Sequence, residues 1–147
     1  MRTFVGIAAV LLALLPLASL PLIGGGSLEA EKAAPGKERV FELRTYTASP
    51  GKLDALNARF REHTNALFVK HGMTLIGYWT PADGDRQKDT LVYILAFPDR
   101  QAREKSWKAF QDDPEWKKVK SESEVSGSLT SKVESVILKP TDYSPMR

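Results

Sequence analysis

Val40-Phe41-Glu42-Leu43-Arg44-Thr45-Tyr46-Thr47, running through Ser49-Pro50-Gly51-Lys52, is the stretch that decides the fold. Phe41, Leu43 and Thr45 fall on one face of an extended strand and Val40, Glu42, Arg44 and Tyr46 on the other, the period of two that a strand imposes. Both faces carry bulk. Ser49 can cap a helix and Pro50 can take its first position. Leu53, Leu56, Phe60, Leu67 and His71 then recur at helical spacing until Gly72 stops the run.

Working outward, Met73 to Thr80 reads as a second strand ended by Pro81, and Ala82 to Arg86 as a polar turn. Thr90 to Phe97 is a third strand, apolar on both sides: Leu91, Tyr93, Leu95 and Phe97 alternate with Val92, Ile94 and Ala96. Pro98-Asp99 opens a second helix whose inner stripe is Ala102, Ser106, Ala109 and Phe110, with Trp107 beside it. Asp113-Pro114 restarts that helix with Trp116 and Val119 inward, residues 121–128 form a loop, and Ser131 to Leu138 is a fourth strand ended by Pro140. The order is β-α-β-β-α-β, a ferredoxin-like α+β fold with one antiparallel sheet and its helices on one face. A strand with no wet face must be covered twice, by the domain's helices and by something else. The expected second cover is another copy of the chain, packed sheet on sheet as a homodimeric α+β barrel, so that a lone subunit should not be stable.

The 147-residue chain has a different character at its start. Arg2 is the only charge before Glu29, Phe4 to Ile23 is largely apolar, and Gly24 to Ser27 are small. Residues 1–28 read as a signal peptide cut between Gly26 and Ala30, or as an N-terminal anchor left uncut. Either outcome exports the domain to a periplasmic or extracellular location, with membrane contact only through an uncleaved leader. Residues 29–38 read as a linker, 39–141 as the globular domain and 142–147 as a tail. The chain has no Cys, so it carries no disulfide and no lipid on a cysteine. Its net charge of +3 is spread among interspersed Lys, Arg, Asp and Glu, which is a solvated surface rather than a nucleic-acid footprint.

Six pieces in order resemble one known family: Glu42-Leu43-Arg44-Thr45-Tyr46, Pro50-Gly51-Lys52, His71-Gly72, Gly77-Tyr78-Trp79-Thr80, Asp113-Pro114-Glu115-Trp116 and Val136-Ile137-Leu138-Lys139-Pro140. Together they resemble the NIPSNAP domain over about residues 39–141. The resemblance implies the dimeric α+β barrel superfamily, which also holds cofactor-free monooxygenases and haem enzymes related to chlorite dismutase. NIPSNAP members themselves are mostly described as binding or trafficking-associated proteins. The apolar leader departs from the Arg-rich presequences of the mitochondrial members, so their organelle-related roles do not carry over.

Glu42, Arg44 and Tyr46 share a strand face, with Tyr78 expected nearby. If that face looks toward the helices, Arg44 could hold an acidic group and Tyr46 or Tyr78 donate a proton, or Glu42 and Arg44 could simply satisfy each other. His63, on the flank of the first helix's apolar stripe, is either a proton relay or a structural residue, and His71 reads as a helix-terminal cation. Trp79, Trp107 and Trp116 are core or dimer-contact rings, or the walls of an aromatic pocket. Asp112-Asp113 reads as a helix cap rather than a catalytic pair.

His63 and His71 would point about 80° apart and roughly 12 Å distant along one helix, so they cannot share a metal. No metal site and no cofactor is expected; a single axial His leaves haem as a remote alternative. Two functions stand: an exported homodimer binding a small apolar or aromatic molecule, or a protein partner, without turnover; and a cofactor-free monooxygenase in which His63 or Tyr46 relays protons. The second needs a cavity of at least ~300 Å³ on which His63, Arg44 and Tyr46 converge.

Overall fold

The computed structural model describes residues 39–146, so the expected leader, the expected linker and Arg147 lie outside the described residues. Strands β1 (Val40–Ala48), β2 (Thr74–Trp79), β3 (Thr90–Phe97) and β4 (Thr130–Leu138) form one antiparallel sheet in the order β2-β3-β1-β4. Between β1 and β2 run α1 (Leu53–Arg59) and α2 (Asn65–Lys70), joined without interruption by a wide π-helical turn over Phe60–Thr64. Between β3 and β4 run α3 (Arg100–Asp112) and α4 (Pro114–Ser123). This is the β-α-β-β-α-β, α+β arrangement read from the pattern.

Register fixes which side chains meet the helices. Glu42, Arg44 and Tyr46 on β1 stand opposite Leu95, Tyr93 and Leu91 on β3 and opposite Ile137, Ser135 and Val133 on β4. Directly paired residues share a face, so this set lies under the helices, where Leu56, Phe60, Leu67, Phe68, Trp107 and Phe110 complete the core. On β2 the register shifts between Leu75 and Gly77, which leaves Ile76 extra. After that bulge Tyr78 pairs with Tyr93 on the helix side and Trp79 pairs with Val92 on the outer side. A Cβ on Gly77 would come within 2.5 Å of the Trp79 ring, so glycine lets the indole lie back across the strand.

The outer face is apolar and incompletely covered. Val136 and Trp79 are each 52% exposed and Leu138 is 37% exposed. A cleft of about 300 Å³ on this face is lined by Phe41, Ile76, Ile94 and Leu138 together with Pro140 and Met146 of the C-terminal tail.

Besides Ala109, expected on the inner stripe of α3 and exposed instead, three local expectations change. Ser49 does not cap a helix: Lys52 N–H donates to the Ser49 carbonyl at 2.9 Å and Gly51 has φ +70°, so Ser49 to Lys52 is a tight turn and α1 begins at Leu53. Pro at the second position and Gly at the third are what a type II turn demands, and they outweigh the capping preference of serine. Second, α4 runs to Ser123, into the expected 121–128 loop, and the Ser121 and Ser123 hydroxyls donate back to the Lys118 and Lys120 carbonyls. Third, the first helical run is not a continuous α-helix. Asn65 N–H donates to the Phe60 carbonyl five residues back, so one residue is inserted and the face of α2 is rotated relative to α1.

The caps of the later helices follow the sequence. Asp99 accepts from Ala102 N–H at 2.7 Å and Asp113 from Glu115 N–H at 2.8 Å.

Candidate functional site

The Glu42–Arg44–Tyr46 face does look toward the helices. Glu42 is fully buried and its carboxylate is saturated. Oε1 accepts from Arg44 at 2.8 Å, from Arg103 at 2.9 Å and from Ser135 at 2.6 Å, while Oε2 accepts from Arg103 Nε at 2.8 Å and from the Trp107 indole at 2.7 Å. Burial pushes the Glu42 carboxyl up, but the bonds from Arg103, Ser135 and Trp107 and the charge of Arg44 bring it down to about 2. It is an anion at neutral pH and ties β1, β4 and α3 together. Arg44 lies over the Trp107 ring at 4.3 Å and donates to Glu42 and to the Tyr46 hydroxyl at 3.2 Å, while its buried Nε, like that of Arg59, makes no hydrogen bond among the described residues. Glu42, Arg44 and Trp107 thus form a closed polar knot in the core.

Beyond that knot lies an aromatic cluster centred on Phe60. Its ring meets Tyr46, Phe68, Tyr78 and Tyr93 edge to face, with centroids 5.2 to 6.1 Å apart. Tyr78 stacks on Tyr93 at 5.4 Å, and Tyr46 meets Tyr93 at 5.3 Å. The Tyr78 and Tyr93 hydroxyls are buried and make no hydrogen bond among the described residues. Burial pushes both above the usual phenol range, so they stay protonated.

The π-turn opens a cavity of about 170 Å³ beside this cluster, between sheet and helices. Tyr46, Phe60, Phe68, Phe110 and Trp116 supply aromatic walls, and Thr64, Arg59, Lys120, Glu124, Ser128 and Thr130 supply polar groups. Arg59 is only 6% exposed. One of its terminal nitrogens donates to Glu124 at 2.9 Å and to Ser123 at 3.2 Å, its guanidinium lies 5.2 Å from the Trp116 ring, and its Nε makes no hydrogen bond among the described residues. The Thr64 hydroxyl donates to the Arg59 carbonyl at 3.2 Å and holds the turn.

The remaining sequence candidates lie elsewhere. His63 is exposed and lines a second groove of about 340 Å³ with Glu62, Val119, Leu129, Ser123 and Arg59, so Arg59 is the wall that this groove shares with the aromatic cavity. Trp79 is on the outer sheet face, away from the aromatic cluster. His71 meets Asp113 at 2.6 Å, and Lys70 pairs with the same carboxylate at 2.9 Å. These partners, Lys70 first, hold the Asp113 carboxyl well below the usual carboxylate range. Among the described residues no group of three His, Asp or Glu side chains gathers as a metal site would need.

The profile of the NIPSNAP family matches residues 41–145. The chain belongs to the NIPSNAP family. A NIPSNAP family protein from Agrobacterium tumefaciens superposes on it with a TM-score of 0.65 at 25% identity, over 76% of this chain and 94% of its own. A NIPSNAP-like domain protein from Burkholderia xenovorans gives 0.64 at 21% identity, over 74% of this chain and 90% of its own. SnoaB, a cofactor-independent oxygenase from Streptomyces nogalater, gives 0.50 at 14% identity, over 74% of this chain and 98% of its own, a likeness of fold alone. No curated protein matches the sequence.

In this NIPSNAP domain the cavity residues that sequence reading passed over include Arg59, Thr64, Phe68 and Glu124. Arg59 did leave a signal. It stands three residues after Leu56, on the apolar stripe, where a charged side chain is out of place. Thr64 left none, because only the π-turn brings it inward: the inserted residue puts Thr64 at the core and turns His63 out to solvent.

Proposed function

We propose that this NIPSNAP protein is exported, pairs sheet to sheet with a second copy, and holds a small one-ring aromatic molecule beside Phe60 without turning it over. The observation that supports binding is the aromatic cavity of about 170 Å³. An apolar cavity of about 150 Å³ is known to accept benzene, so the volume suits one ring and not a fused polycycle. Pairing is supported by the outer sheet face, where Trp79 on one edge strand and Val136 and Leu138 on the other are exposed. Export rests on the basic start, apolar run and small residues of Met1 to Ser27.

The monooxygenase alternative lacks its parts at this cavity. Of His63, Arg44 and Tyr46, only Tyr46 lines it, and the volume is below the ~300 Å³ that a substrate pocket of ordinary size needs. Calorimetric titration of the purified protein with phenol, indole and naphthalene derivatives tests the binding reading. Saturable one-to-one heat is expected for the one-ring compounds and its loss in Val133→Trp, which places an indole at the cavity wall. Oxygen consumption with an electron-rich phenol would overturn the non-catalytic reading.

A further inference from the structure

The aromatic cavity carries a more specific message about charge. Its lining includes one buried cation, Arg59, whose position is fixed from both ends. On the main-chain side the Thr64 hydroxyl holds the Arg59 carbonyl, and on the side-chain side Ser123 and Glu124 hold a single terminal nitrogen. The Nε–H makes no hydrogen bond among the described residues and is sealed off from the cavity, so a ligand there meets the guanidinium at its terminal nitrogens. Glu124 is the one carboxylate lining the cavity, against two cations, Arg59 and Lys120, so the lining carries one positive charge in excess. The guanidinium also rests near the face of Trp116, where a flat ring bound in the cavity would share the same aromatic wall.

We propose that the ligand is a monoanionic aromatic acid, its ring against Phe60, Phe68 and Trp116 and its carboxylate accepting from Arg59. This deepens the binding reading above and rests on it. A carboxylate is the acceptor that guanidinium geometry suits, and charge-assisted bonds of this kind are roughly twice as strong as neutral ones. A neutral ring of equal size would fill the same space and leave the excess positive charge of the lining uncompensated. Glu124 is then a competitor for the cation as well as its anchor, which gives a consequence that loss of folding could not imitate.

The test titrates the full-length protein with benzoate and with benzamide, its neutral counterpart, at pH 7. Benzoate is expected to bind about 10-fold tighter or more, the factor that one charge-assisted bond supplies. Glu124→Gln, which removes the competing charge and keeps the shape, should tighten benzoate at least about 3-fold relative to benzamide. Arg59→Met, which removes the charge and keeps the apolar stem, should abolish the preference for benzoate. Equal affinity for the two compounds, or a Glu124→Gln variant that binds benzoate no better relative to benzamide, overturns the anion proposal while the one-ring cavity stands. Failure of both compounds to bind at millimolar concentration overturns the binding reading itself.

Discussion

The Thr64 hydroxyl donates to the Arg59 carbonyl at 3.2 Å, five residues back along the chain. One side chain thereby secures the π-turn that separates α1 from α2 and sets the cavity wall. Such turns inside α-helices often mark functional positions, and here the turn carries both Phe60, the hub of the aromatic cluster, and the neighbouring Arg59. Thr64→Val keeps the volume and removes the bond. It should cost about 1 kcal/mol of stability and weaken binding of one-ring aromatics more than Thr64→Ser does, as measured by urea unfolding and calorimetry on both variants.

Glu42 makes the domain acid-sensitive in a defined window. Its carboxyl is lowered to about 2 from the ordinary 4.5, so the folded state holds the anion that the unfolded chain surrenders first. The stabilisation is complete above about pH 4.5 and is lost as pH falls toward 2. Glu42→Gln, which leaves Arg44 and Arg103 without their counter-charge, should lose about 3 kcal/mol at neutral pH and show a flatter decline between those limits. Parallel acid profiles for the two proteins, read from thermal midpoints, would refute the assignment.

Much of the fold was legible because strand periodicity and turn chemistry are local. Leu91 to Phe97 declares a strand apolar on both faces, and Asp113-Pro114 declares a helix start; the structure reproduces both elements. The site was less legible because its partners are remote. Arg103 and Ser135 lie 61 and 93 residues from Glu42 in sequence, and no spacing rule connects them. The π-turn was hidden for a different reason: the residues around it fit a 3.6-residue period well enough that an insertion leaves no trace, and His63 was placed on the flank of a stripe that Thr64 occupies.

Sheet-to-sheet pairing predicts a charge-sensitive association. Val136 lies on the outer face and is half-exposed in the subunit, so Val136→Lys should cost little within one chain but bury an unpaired ammonium between two. Sedimentation equilibrium at micromolar concentration should show two subunits for the parent protein and one for the variant. A parent protein that sediments as a folded single subunit would refute the pairing.

His63 provides a control. It is exposed and lines the second groove and not the aromatic cavity, so His63→Ala should leave aromatic binding within about 2-fold of the parent and shift stability by less than about 0.5 kcal/mol. A large loss of binding on calorimetry would return this histidine to the site.

The most direct test of the cavity is a nuclear magnetic resonance titration of the labelled protein with benzoate. The account predicts saturable shifts concentrated at the Thr64 amide and the Trp116 indole, with Ile94 on the outer sheet face unmoved. Shifts centred on Ile94 and Phe41, or none that saturate, would contradict it.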